Sequence, residues 1–206
     1  MRLINLYTYE LKEHDDYNLP PYAILSHRWE EDEVLFADWI HVHYWRATVP
    51  SKRPNGWRKL LSFCGVARDE HDMVYGWADT VAIDKSSSAE LTQAINSMYR
   101  YYQESSVCIA YLSDVLEDDP LSSGFLEQTT IAKVCANVLY GDREPTDYSI
   151  ATRMSWAARR VTARPEDEAY CLLGIFDVNL PLIYGEGGRA FSAITHADYI
   201  VCPLTV

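Results

Sequence analysis

Three short apolar runs, separated by two stretches of helical periodicity, set the narrowest limit on what this chain can fold into. Tyr22-Ala23-Ile24-Leu25 follows Pro20-Pro21 and reads as a strand. Trp57, Leu60, Leu61, Cys64 and Ala67 then recur at helical steps, with Arg58, Lys59, Arg68 and Asp69 assigned to the other faces. Met73 to Ile83 reads as a second strand, its Thr80–Ile83 run buried on both faces. Ser87-x-x-Glu90 has the form of a capping box, in which hydroxyl and carboxylate each satisfy an orphan amide. Leu91, Ile95, Met98 and Tyr102 continue it as one apolar stripe, predicting a helix from about Ala89 to Glu104. Val107 to Leu112 is the third strand. Strand, helix, strand, helix, strand predicts an α/β fold: a parallel sheet with right-handed crossovers, flanked by helices.

After Asp114 the texture changes. Glu117-Asp118-Asp119-Pro120 and Ser122-Ser123-Gly124 read as a loop, and Leu126–Leu139 as a helix stopping near Gly141. Ile150–Arg160 is predicted helical. Pro165 suits a first helical turn, where Glu166, Asp167 and Glu168 complement the helix dipole. Asn179–Gly188 reads as a Pro/Gly-rich loop with a short helix after Arg189. The second half is therefore mostly helical.

Composition narrows the function classes. Of 206 residues, 48 % are hydrophobic and 23 % charged, which excludes disorder for the chain as a whole. Lys and Arg number 18 against 30 Asp and Glu, a formal net charge of −12, which disfavours binding to nucleic-acid backbones. The five cysteines contain no C-x-x-C, so they read as reduced, mostly buried thiols of a cytoplasmic protein. The apolar runs fall far short of the ~20 residues of a membrane helix. His41-x-His43 sits among Trp39, Tyr44 and Trp45 and is read as surface or interface, so no metal is expected.

Parallel α/β sheets hold ligands at the carboxyl ends of their strands. The candidate ligand-site residues are therefore Ser26, His27, Arg28 and Trp29 after the first strand, Asp79, Asp84 and Lys85 around the end of the second, and Ser113 and Asp114 after the third. Should Asp79 be buried, Arg28 is the candidate to neutralise it. Ser26 and His27 are not a catalytic pair, because strand neighbours face opposite ways. No G-x-S-x-G elbow is present. Gly185-Glu186-Gly187-Gly188 matches neither glycine fingerprint for phosphate. Arg153, Arg159, Arg160 and Arg164 are expected to pair with carboxylates.

Tyr22-Ala23-Ile24-Leu25-Ser26-His27-Arg28-Trp29 resembles the opening motif of the fungal heterokaryon-incompatibility (HET) domain, and Trp77-Ala78-Asp79-Thr80-Val81-Ala82-Ile83-Asp84-Lys85 its second motif. Ala110-Tyr111-Leu112-Ser113-Asp114-Val115 continues the match. So do Arg153–Arg160, Glu166–Val178 and Pro181–Gly187. The resemblance places a HET-like domain at 1–191, with a flavodoxin- or TIR-like α/β part at 1–116, a helical part at 117–191 and a divergent tail at 192–206. It implies self/non-self recognition with regulated cell death as the output, and other proteins as partners, through an incompatibility partner or self-assembly. Some TIR domains cleave NAD through a glutamate after the third strand. The resemblance thus makes NAD a candidate ligand or substrate, with no cofactor required, and NAD glycohydrolysis the alternative function.

The sequence departs from the family at that point. The Arg-Gly-Trp-Thr-Leu-Gln-Glu block expected after the third strand is missing, and Gly124-Phe125-Leu126-Glu127-Gln128 is its faint echo. Glu127 is the one weak catalytic candidate. The Cys-Cys pair common in the second motif is Val81-Ala82 here, which argues against cysteine chemistry. The chain reads as an internally shortened, degenerate member that leans away from enzymatic activity.

Overall fold

The computed structural model describes residues 1–41, 52–111, 145–158 and 160–194, and the backbone of 125–127. The chain divides into two compact units, Met1–Leu91 with Glu104–Lys133, and Thr92–Gln103 with Val134–Val206.

The first unit is built on a mixed sheet. Strands β1 (Arg2–Asn5), β2 (Leu11–Glu13), β3 (Tyr22–His27), β4 (Tyr75–Trp77), β5 (Val107–Tyr111) and β6 (Phe125–Glu127) lie in the order β2-β1-β4-β3-β5-β6. The three strands predicted to be parallel are so. β3 pairs with β4 through Tyr22↔Tyr75 and Ile24↔Trp77, and with β5 through Ala23↔Val107 and His27↔Tyr111. Taken in chain order these three run 2-1-3, the arrangement of flavodoxin-type doubly wound sheets. β1, β2 and β6 add antiparallel edges that the periodicity did not predict. Three- and four-residue strands are too short to show an alternation. Leu126 and Glu127, expected at the start of a helix, lie in strand β6 instead. The rest of that predicted helix lies outside the described residues.

Helix α2 (Pro54–Asp69) covers the central strands, with Pro in its first turn. Its buried Trp57, Leu60, Phe63, Cys64 and Ala67 pack with Ala23, Leu25 and Ile109 from β3 and β5. Lys59, expected on a polar face, is buried with them at 4 % exposure. The segment Asp79–Ala82 is also a correction: it is a helical turn, α3, after the four-residue helix α1 (Phe36–Trp39) and the three-residue β4. Val81 and Ala82 are buried as the apolar run requires. A short buried run does not by itself separate strand from helix.

Helix α4 (Ser88–Gln103) begins where the capping box predicts, and half of the box forms: the Glu90 amide donates to Ser87 Oγ at 3.3 Å. The Glu90 carboxylate goes elsewhere. It accepts the Asp84 amide at 2.7 Å and both ends of the Arg2 guanidinium at 2.5 and 2.8 Å, tying β1 to the start of α4. The two-pronged, charge-assisted pair with Arg2 is stronger than a single bond to a neutral amide.

In the second unit α5 (Ile150–Ala157), α6 (Pro165–Tyr170) and α7 (Leu173–Phe176) follow the predicted helical stretches. Tyr99 of α4 lies against Gly174, where a Cβ would come within 2.1 Å of Tyr99 Cβ. The predicted loop after Asn179 is fastened by side chains. Asn96 holds Leu180 through both amide atoms, at 3.1 and 3.2 Å. Tyr170 Oη donates to the Ile183 carbonyl and accepts its amide, both at 2.8 Å. Glu166 Oε1 accepts the amides of Gly185 and Gly187, both at 2.9 Å. Against expectation, Arg153 and Arg164 form no ion pair among the described residues; they lie over the rings of Phe176 and Tyr184 at 4.4 and 4.5 Å. No helix among the described residues is long and apolar enough to cross a membrane.

Candidate functional site

The carboxyl ends of the parallel strands gather one buried charged cluster. β3 alternates, so His27 falls on the same side as Ala23 and Leu25, toward α2. Its side chain is 1 % exposed. Helix α2 sends Lys59 to the same place, one turn before Phe63. The loop after β3 returns Glu33, 3 % exposed, and α3 opens with Asp79.

The geometry is closely coupled. Lys59 Nζ pairs with Glu33 Oε1, which also accepts the Glu30 amide at 3.0 Å. The Arg53 guanidinium donates to the Glu33 carbonyl. Trp29 Nε1 donates to Asp79 Oδ2 at 2.8 Å. Lys85 Nζ sits 3.0 Å from the centre of the Trp29 ring, a cation–π contact. His27 Nε2 lies 3.8 Å from Glu33 Oε2 and 3.8 Å from Asp79 Oδ1, too far for a hydrogen bond to either. Among the described residues, both imidazole nitrogens, Glu33 Oε2 and Lys85 Nζ are buried without a hydrogen-bond partner. The Tyr111 ring, level with His27 on β5, lies 5.5 Å from Lys59 Nζ.

Burial shapes the protonation states. It pushes the His27 imidazole down to about 4, helped by Lys59 and opposed by Glu33, so the ring is neutral at physiological pH. It raises the Asp79 carboxyl, against the pull of Lys85 and the Trp29 bond. It lowers the Lys85 ammonium, against the attraction of Asp79 and Glu33. Desolvation, then the acids Glu30, Glu33 and Asp32, raise the Tyr111 hydroxyl. A neutral imidazole between two carboxylates can donate one hydrogen bond and accept another but supplies no positive charge. Among the described residues, no three His, Cys, Asp or Glu side chains converge to hold a metal ion. The buried Cys64 and Cys108 thiols are pushed up to about 12 and about 11, which leaves them protonated and unreactive.

Of the residues expected at this edge, His27, Trp29, Asp79 and Lys85 come together. Arg28 is exposed and forms no ion pair with Asp79, whose partner is Trp29 instead. Ser26 is half-buried and falls on the other side of β3. Asp84 turns to its own loop, accepting the Ser86 amide at 2.9 Å and hydroxyl at 2.6 Å. Glu127 pairs with Ile109 through the β6 backbone. Ser113 and Asp114 lie outside the described residues. Glu33 and Lys59 were missed by the sequence reading. A signal existed for Lys59, which occupies a stripe position between Gly56 and Phe63; Glu33 follows three other acids, Glu30, Glu31 and Asp32, and gave none.

The family model described as heterokaryon incompatibility protein (HET) matches residues 22–165. The chain is also 37 % identical over 215 residues to vegetative incompatibility protein HET-E-1 of Podospora anserina, a match covering 82 % of this chain and 15 % of that protein. The chain thus spans a small fraction of that relative's length. The matched stretch is longer than this whole chain, so the relative carries residues within it that this chain lacks. No solved structure matches. From its first parallel strand to the start of α6, the chain belongs to the heterokaryon incompatibility (HET) family.

Proposed function

We propose that this chain acts as a recognition and cell-death signalling module of the incompatibility type, working in the cytoplasm through contacts with other proteins, and does not turn over NAD. The observation that carries this reading is the mutual neutralisation of charge at the sheet's carboxyl edge. Glu33 is engaged by Lys59 and Asp79 by Trp29, with Lys85 beside it. Cleaving NAD requires a carboxylate free to stabilise a positively charged ribosyl transition state. The missing Gln-Glu block, and a relative carrying residues absent here, support the reading of a shortened member.

A second reading, a TIR-like NAD site, draws on the 2-1-3 order of the parallel strands and on the unpartnered atoms of His27, Glu33 and Lys85. Purified wild type, Glu127→Ala and Asp84→Ala, incubated with NAD and followed by chromatography, separate the two. The signalling reading expects no turnover in any of them, with cell death on expression of the wild type in a fungal host. Robust turnover abolished by Glu127→Ala would establish the enzyme.

A further inference from the structure

The His27 imidazole is surrounded by titratable groups from every element around it. Glu30 and Glu33 come from the loop after β3, Lys59 from α2, Asp79 from α3, Lys85 from the segment after α3, and Tyr111 from β5. The two nearest carboxylates each hold one end of the loop from Trp29 to Glu33. Asp79 accepts the Trp29 indole, and Glu33 accepts the Glu30 amide while pairing with Lys59. The ring nitrogen stands at 3.8 Å from both, close enough for strong Coulombic attraction once charged and too far for a bond while neutral.

We propose that His27 is a proton-operated latch on this loop: protonation draws Glu33 and Asp79 onto the imidazolium and releases the Trp29 indole. A charged hydrogen bond closes to ~2.8 Å, so the carboxylates must move toward the ring. Asp79 faces the ring with Oδ1 while Oδ2 holds the Trp29 indole, and Glu33 faces it with Oε2 while Oε1 holds Lys59 and the Glu30 amide, so closing either 3.8 Å gap swings the carboxylate and pulls on the bond at its other oxygen. Burial, then Lys59 and Lys85, oppose the added charge, so the latch stays closed through the neutral range and opens in acid. Trp29 is already 49 % exposed, and its release changes the surface that this loop presents. This inference stands apart from the signalling reading, since it concerns the loop and not its partner.

The test is NMR of the full chain over about pH 7 to about pH 3.5, spanning ordinary and depressed histidine titration. The Trp29 indole Nε1–H is assigned by its loss in Trp29→Phe, and the His27 ring protons by their loss in His27→Gln. In the wild type, exchange of the Trp29 indole proton, taken relative to a free indole at the same pH, should accelerate by about tenfold or more as His27 titrates. The buried indoles of Trp39 and Trp57 should not follow it. His27→Gln, which cannot take up a proton, should abolish the transition. Persistence of the transition in His27→Gln would assign it to the raised Asp79 carboxyl and overturn the latch. Titration of His27 with an unchanged indole would also overturn it. Where His27→Gln does not fold, histidine resonances are assigned by through-bond experiments on the wild type. Coincident midpoints then support the latch, and separated midpoints defeat it.

Discussion

Trp29 Nε1 donates to Asp79 Oδ2 at 2.8 Å, joining the last residue of the first family-like block to the second block across fifty positions. Lys85, from the end of the second block, lies on the indole face. The two motifs thus meet through one aromatic ring that takes a carboxylate at its edge and a cation on its face.

Asp79→Ala leaves the indole N–H to solvent and removes the carboxylate that most strongly attracts Lys85. The expected cost is about 2–3 kcal/mol in chemical denaturation. Adding Lys85→Met should restore part of it, because the two residues share one partner. Strict additivity of the two substitutions would show that the ring does not couple them.

Glu33 and Lys59 form a buried ion pair. Lys59→Met alone strands a buried carboxylate and should cost roughly 3–5 kcal/mol, whereas Glu33→Gln with Lys59→Met should lie much closer to wild type. Denaturant midpoints of the three variants, with unchanged slopes, check this.

At Gly56 the first turn of α2 passes against the loop after β3. A Cβ there would stand 2.2 Å from the Asp32 carbonyl oxygen and 3.0 Å from the Val34 amide nitrogen. Both are backbone atoms and cannot rotate away, so Gly56→Ala should destabilise by about 1–3 kcal/mol or more. A thermal midpoint equal to wild type would contradict that close approach.

The amides of Gly187 and Gly185 hold the Glu166 carboxyl below its ordinary range. A depressed carboxyl contributes stability above its unfolded value of ~4.3, and this is lost as pH falls through the folded value. Amide exchange at Gly185 and Gly187 should therefore accelerate, relative to the rest of the second unit, only in acid. In Glu166→Ala that relative acceleration should be present at every pH.

Local order was legible where periodicity ran long. Helix α4 begins within one residue of its predicted start, because Ser87, Glu90 and the stripe from Leu91 to Tyr102 are neighbours in sequence. The helix over Pro54–Asp69 and the parallel pairing of β3 with β4 and β5 were equally readable. Short elements were not. Nothing in Arg2–Asn5 or Leu11–Glu13 announces a strand until β4 and β1 offer backbone partners.

The sequence by itself determined the alternation of buried runs and helical stripes, the acidic balance and the family blocks, all of which are properties of neighbouring residues. Only the tertiary structure decided which charges are buried together. Lys59 reads like Arg58, and Glu33 like Glu30, until α2 packs against β3 and removes water from one member of each pair. Choosing the partner of a buried charge depends on distances between segments far apart in the chain. For that reason Asp79 is held by Trp29 and not by Arg28, one residue away on the same strand end.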